Sequence, residues 1–168
     1  AMSEAARYRG RDVCVVGGAN SAGQGALFFS RYARKVTMII RAPALEPAMS
    51  QYLIDRIRAT SNIEVIGNVE VESVQGDDEL QAVTLRSVKT SELTTIPTSA
   101  LFIFIGVLPH TRAFAGVLEC DASGFVLTGS DLPMEHDRPR GWPLARAPFM
   151  FESSMPGVFA AGDVRAGA

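Results

Sequence analysis

The feature that most constrains this chain is a glycine turn, Gly17-Gly18-Ala19-Asn20-Ser21-Ala22, set between an apolar run and a helical one. Asp12 to Val16 is short, β-branched and uncharged after its first residue, which reads as a buried strand. Asn20 or Ser21 can cap the helix that follows, which runs through Ala26-Leu27-Phe28-Phe29 to about Ala33. Val36 to Ile40 reads as a second buried strand, completing a right-handed strand–helix–strand unit. A turn of this kind needs Gly17 for its tightness, a small second position for close approach of a ligand, and small Ala22 for packing the helix on the strand. The helix amino terminus then offers free N–H groups and a partial positive charge to a phosphate. With strand before, helix after and a second strand at the right distance, the turn reads as a dinucleotide fingerprint.

A second helix is expected to open at Pro47, whose missing N–H is harmless in a first turn. Met49, Tyr52, Leu53 and Ile57 recur at helical spacing and form its apolar face, ending near Asn62. Ile63 to Ile66 reads as a third strand. The pattern then becomes β only: Val69, Val71 and Val74 alternate, Gly76-Asp77-Asp78 turns, Ala82 to Val88 alternates, and Thr94 to Ile96 follows. These residues predict a small antiparallel meander. Leu101 to Ile105 returns as a fully buried strand ending at Gly106. Beyond Pro109 the periodicity fades. Gly124 to Thr128 reads as a strand, Ser130 to Pro148 as a long loop anchored by Trp142, and Pro156 to Asp163 as an apolar strand cut short by a Gly-Asp turn.

Composition narrows the function classes. A net charge of -2 with scattered basic residues gives no field for nucleic acid. No apolar run approaches the roughly 20 residues that span a bilayer, so no membrane role is expected. The amino terminus shows no basic-then-apolar leader, which favours the cytoplasm. Of two cysteines, Cys14 lies in the apolar run Val13-Cys14-Val15-Val16 and reads as a small core residue. Cys120 sits between Glu119 and Asp121, which oppose its thiolate. His110 and His136 lack partners at metal or triad spacing and read as surface residues, so neither a metal site nor a catalytic residue is expected in this chain.

Several stretches together resemble one family. Val15-Val16-Gly17-Gly18-Ala19-Asn20-Ser21-Ala22 is similar to the nucleotide motif of thioredoxin reductases, within the pyridine nucleotide-disulfide oxidoreductases. Lys35-Val36-Thr37 and Phe102-Ile103-Phe104-Ile105-Gly106, with Pro109 and Thr111 beyond, resemble it also. Val158-Phe159-Ala160-Ala161-Gly162-Asp163-Val164-Arg165 resembles the family's flavin-binding Gly-Asp signature. The resemblance implies an α/β, three-layer Rossmann-like dinucleotide-binding domain over residues 8–112, with a parallel sheet and an inserted antiparallel meander. It implies that residues 113–168 are the incomplete second half of an FAD-binding domain. The function implied is to position NAD(P)H for hydride transfer to FAD held by the rest of a flavoprotein oxidoreductase, the isolated chain being inactive. Cofactor contacts would come from Gly17, Gly18, Ala19, Asn20, Ser21, Ala22, Arg41 and Gly106 for NADP(H) or NAD(H). Gly162 and Asp163 would meet FAD, and only in the intact enzyme. The implied partners are NAD(P)H, the missing part of the flavin domain and an electron acceptor of unspecified chemistry, with a homodimer left open.

Three departures separate this chain from the family pattern. The family's Cys-x-x-Cys lies shortly before the first strand, whereas Ser3 to Gly10 contains no cysteine, so the chain resembles a branch without the dithiol. The middle glycine of the turn is Ala19, whose methyl group points toward the pyrophosphate. Members preferring NADPH carry several arginines after the second strand, and here only Arg41 matches while Ala42 and Glu46 stand at the other places. Bland readings stand beside these: Asn20-Ser21 as a plain cap, Arg41 as a surface charge, Gly106 as a strand end, Asp163 as a turn residue. Two whole-chain alternatives also remain, a non-catalytic nucleotide-sensing module and a degenerate interaction module.

Overall fold

The computed structural model describes residues 5–46 and 48–167. They fall into two compact units that divide between Ile105 and Gly106.

In the first unit β1 (Asp12–Val16) leads through the glycine turn into α1 (Asn20–Phe29), then β2 (Lys35–Ile39), α2 (Gln51–Arg58) and β3 (Ile63–Ile66). The meander follows as β4 (Val69–Gly76), β5 (Leu80–Ser87) and β6 (Leu93–Pro97), before β7 (Leu101–Ile103) rejoins the first sheet. That sheet is parallel and four-stranded, in the order β3-β2-β1-β7, while β4-β5-β6 form a separate antiparallel sheet.

Strand alternation explains the layers. Val13, Val15, Val36, Met38 and Ile40 point to one side, where they pack with Ala22, Ala26 and Phe29 of α1 and with Leu53, Ile54 and Ile57 of α2. Cys14 and Ile39 point to the other, against Val83 and Leu85 of β5. Each such fully buried aliphatic or aromatic side chain stabilises the fold by about 1.5–3 kcal/mol. Phe29 also stacks on Phe102 with ring centroids 3.9 Å apart, tying α1 to β7. The expected architecture, helices on one face of a parallel sheet and a meander on the other, is therefore what forms.

Several local expectations are corrected. α1 stops at Phe29 rather than near Ala33: past it the i→i−4 ladder gives way to tighter bonds, Arg31 N–H to Phe28 O at 3.4 Å and Tyr32 N–H to Phe29 O at 3.0 Å, while the Ser30 hydroxyl donates to Leu27 O at 2.9 Å. Neither Asn20 nor Ser21 caps α1; Ala19 holds the N-cap position and no side chain bonds the helix end. α2 starts after Ser50, and the role expected for Pro47 lies outside the described residues. Tyr52 is 66% exposed and Ile54 takes its place on the buried face. Once Leu53 and Ile57 point inward, Ile54 shares their side, and the Tyr52 hydroxyl is left to accept Arg56 Nη1 at 3.0 Å. β7 is not fully buried: it ends at Ile103, and Ile103 and Ile105 are 62% and 74% exposed.

The second unit has little regular structure. It holds short 3-10 turns at Arg112–Phe114 and Gly129–Asp131 and a hairpin of two-residue strands, β8 (Met134–Glu135) and β9 (Arg138–Pro139), turned at His136 and Asp137 with φ of 50° and 64°. The strand expected at Gly124–Thr128 reduces to single bridges from Val126 to Cys120 and Arg165, and that at Pro156–Asp163 to one bridge from Phe159 to Glu152. Side chains replace ladders here. Trp142 is buried as expected and donates its indole N–H to Arg146 O at 2.7 Å. Among the described residues no helix is long and apolar enough to cross a membrane.

Candidate functional site

The glycine turn is built against the end of the parallel sheet. Gly17 has φ +133°, and its N–H donates to Ile39 O at 3.0 Å. A Cβ on Gly17 would overlap the Phe104 carbonyl oxygen and lie 3.2 Å from Ala22 Cβ, so both conformation and space demand glycine. Gly18 is less constrained, since a Cβ there would meet Ile40 Cγ2 at an ordinary 3.5 Å. Ala22 is fully buried and lets α1 sit on the strand. Further along α1, a Cβ on Gly25 would come within 2.9 Å of the Phe104 ring. Sequence reasoning missed Gly25, because its steric partner is remote in the chain.

Ala19, Asn20 and Ser21 are exposed at the amino end of α1. Ala19 O accepts the Gly23 N–H at 3.1 Å, starting the helix, and the first turn contains no acidic residue. The N–H groups of Asn20, Ser21 and Ala22 precede that bond and have no intrahelical acceptor. The Asn20 carboxamide is turned aside, its Oδ1 accepting the Ser50 N–H at 2.9 Å. The exposed Asn20 and Ser21 present N–H donors and the helix dipole to solvent at the carboxyl edge of a parallel sheet, where ligands of open α/β sheets bind.

Arg41 lies two residues past the end of β2, directly after buried Ile40, and is exposed. Its backbone is held from both sides: Ile40 O accepts the Val69 N–H at 3.2 Å, and Ala42 O accepts the Asn68 N–H at 3.1 Å. Gly67 makes that approach feasible, since a Cβ there would stand 2.6 Å from Pro43 O. Glu46 pairs with Arg58 of α2. Backbone N–H groups and the Arg58 guanidinium hold the Glu46 carboxyl below its usual range, so it is a carboxylate with a local counter-charge.

Gly106, Gly162 and Asp163 all fall in the second unit. Gly106 has φ +92° and Gly162 φ +75°, and a Cβ on either would meet nothing within 4 Å, so conformation alone selects glycine there. Asp163 is exposed in a turn closed by the Arg165 N–H on Gly162 O at 3.0 Å. The Arg165 side chain braces this turn, donating from Nε to Thr128 Oγ1 at 2.7 Å and pairing with Asp131 at 3.3 Å. Its guanidinium carbon also stands 5.4 Å from the Phe151 ring centre.

Sequence reasoning also missed Glu152, which is completely buried. It accepts Arg146 at 2.6 and 2.8 Å, the Phe149 N–H at 2.9 Å and the Gly157 N–H at 2.8 Å. Chiefly through Arg146, its carboxyl is pulled down to about 2. Nothing in the run Phe149-Met150-Phe151-Glu152 marks it, because Arg146 and the Gly157 N–H, which satisfy both its oxygens, lie outside that run.

The two thiols stay protonated. Burial pushes Cys14 up, and burial with Asp121 and Glu119 pushes Cys120 up. Among the described residues no group of three or more His, Cys, Asp or Glu could hold a metal ion.

Comparison with known proteins places this arrangement. The family pattern described as pyridine nucleotide-disulphide oxidoreductase matches residues 2–168. The thioredoxin reductase of Streptomyces coelicolor is 34% identical over 94% of this chain and 42% of that protein. The "34.2 kDa protein in rubredoxin operon" of Clostridium pasteurianum is 29% identical over 98% of this chain and 46% of that protein. Among solved structures, thioredoxin reductase from T. acidophilum superposes with a TM-score of 0.77 at 26% identity, covering 99% of this chain and 48% of that one. The chain thus spans less than half the length of the relatives it matches. Its sequence pattern, fold and relatives agree: the chain belongs to the thioredoxin reductase-like pyridine nucleotide-disulphide oxidoreductases.

Proposed function

We propose that this chain is the NAD(P)H-binding portion of a thioredoxin-reductase-like flavoprotein oxidoreductase. Residues 8–112 would bind the dinucleotide and residues 113–168 would be the incomplete second half of the FAD-binding domain. The carrying observation is the turn itself: Gly17 with φ +133° leads into a helix whose amino end no side chain caps and whose first turn holds no acid. Those groups fit an anion. Gly17, Gly18 and Ala19 would pass beneath the pyrophosphate, the exposed N–H groups of Asn20 and Ser21 would receive it with buried Ala22 packed beneath, and Arg41 would meet the 2′-phosphate of NADP(H). Gly106 would face the nicotinamide half, and Gly162 and Asp163 would contact FAD in the intact enzyme.

Hydride chemistry belongs to the two cofactors, and the chain supplies position and electrostatics. Its cysteines are Cys14 and Cys120, remote in sequence and both disfavoured as thiolates, so no dithiol step is assigned to it. The remainder of the flavin domain and an electron acceptor would complete the system.

Calorimetric titration of the full chain with NADPH and NADH tests this reading, with Ser21→Asp as the diagnostic variant. A carboxylate in the first turn of α1 favours the helix but repels a phosphate at its end. Saturable binding by the parent, weakened about tenfold in Ser21→Asp without loss of thermal stability, is expected. Failure of both nucleotides to saturate the parent at millimolar concentration sinks the reading.

A further inference from the structure

Helix α1 begins with two residues that ordinarily cap helices, yet neither side chain caps it. Asn20 instead reaches across to the Ser50 N–H. Ser50 is the residue from which α2 starts, and no side chain caps that helix either. One turn along α1, Gly23 is buried against Met49, whose Sδ and Cε would both lie 2.8 Å from a Cβ on Gly23. The first turns of α1 are thus joined to Met49 and Ser50 by one hydrogen bond and one close packing contact. Met49 and Ser50 end the segment that begins at Arg41. Its other end is fixed to Asn68 and Val69 through Ala42 O and Ile40 O. The segment carrying Arg41 is therefore clamped at both ends, and one of its clamps originates in the proposed pyrophosphate turn.

We propose that the Asn20 side chain is a positioning residue for Arg41: it fixes the separation between the free N–H groups of α1 and the guanidinium, and so selects the nucleotide bearing a 2′-phosphate. This inference rests on the dinucleotide reading above. The pyrophosphate and the 2′ position of one nucleotide are a set number of bonds apart, so donors for both act together only at one spacing. Fixing that spacing before binding removes an ordering cost that would otherwise fall on the 2′-phosphate contact alone. A plain capping role would have turned Asn20 onto its own helix. The observed bond crosses to the other helix and leaves the α1 donors unoccupied.

Two measurements on the full chain test the proposal, using Asn20→Ala, Asn20→Asp, Arg41→Ala and the double variant Asn20→Ala/Arg41→Ala. Amide hydrogen exchange without nucleotide reads the clamp. Ser50 and its preceding segment should exchange faster in Asn20→Ala and stay near the parent in Asn20→Asp, whose carboxylate still accepts the bond. Titration reads the selection. Asn20→Ala should lower the NADPH-over-NADH affinity ratio about threefold to tenfold. Asn20→Asp should weaken both nucleotides by similar factors and keep the ratio, because its charge opposes the pyrophosphate they share. In the Arg41→Ala background, Asn20→Ala should no longer change the ratio. Faster exchange with an unchanged ratio overturns the proposal, as does a change of ratio that persists without Arg41. If neither nucleotide saturates the parent, the dinucleotide reading fails and the selection role falls with it, whereas unchanged Ser50 exchange in Asn20→Ala overturns the clamp alone.

Discussion

Gly17 faces the Phe104 carbonyl so closely that a Cβ on Gly17 would overlap the oxygen, with Phe104 C at 3.0 Å. The strand end beyond β7 thereby forms the wall against which the turn is folded, and Phe104 N–H donates to Val16 O at 2.7 Å to hold it there. Gly17→Ala must relieve this overlap and also occupy φ +133°, which together cost about 2–4 kcal/mol. Gly18→Ala, with its nearest neighbour at 3.5 Å, should cost less than about 1 kcal/mol. Urea unfolding of the two variants checks the contrast, and equal losses would show that the turn relaxes.

Ala19 is the departure most directly placed to affect ligand affinity. It is exposed, with φ -95° and ψ 179°, an extended conformation any residue adopts, so its methyl group is not required by the fold. If that methyl group crowds the pyrophosphate, Ala19→Gly should tighten dinucleotide binding by about 1 kcal/mol, near fivefold. Stability should stay level or rise slightly, because glycine is the better N-cap. Calorimetry on both proteins decides it; equal affinities would show that the turn already clears the ligand.

The pairing of Glu46 with Arg58 bears on nucleotide preference. Read from sequence, Glu46 is close enough to Arg41 to repel the same phosphate. In the folded chain its charge is answered by a guanidinium on α2, which leaves Arg41 the stronger influence. NADP(H) should therefore bind roughly tenfold tighter than NAD(H), and Arg41→Ala should remove most of that preference. Arg58→Ala should uncover the Glu46 carboxylate and weaken NADPH about two- to threefold more than NADH. Tighter NADH binding by the parent protein would refute the assignment of Arg41.

What was legible in the sequence was local and periodic. β1, α1, β2 and the meander could be read because β-branched runs and glycines act on their immediate neighbours. Spacing by three and four relates Tyr52 to Met49 as readily as it relates Ile54 to Ile57, so it cannot say which flank of Leu53 turns inward; in the fold Ile54 is buried and Tyr52 exposed. The glycine turn was legible, whereas its supports were not: Gly25 and Gly67 matter through Phe104 and Pro43, which only the fold brings near. The second unit was least legible, since the strands expected there have no long neighbours and their places are taken by buried charge.

That buried charge leads to the last prediction. Glu152 is completely buried, and its carboxyl is lowered from an ordinary 4.5 to about 2, first through Arg146 and then through the N–H groups of Gly157 and Phe149. A carboxyl lowered on folding contributes stability that is fully present above its unfolded value and is lost as pH falls through its folded one. The second unit should therefore hold its structure above pH 4.5 and lose it progressively toward pH 2. Trp142 is a built-in reporter, because its indole N–H is held by Arg146 O and the Arg146 guanidinium carbon stands 5.7 Å from its ring centre. Its fluorescence should change across this window. Glu152→Gln removes the charge yet keeps two acceptor or donor positions, and it leaves Arg146 without its anion. Its fluorescence at pH 7 should already resemble that of the acidified parent, and the transition between pH 4.5 and 2 should be largely gone. An identical acid transition in parent and variant would show that other carboxylates govern the unit.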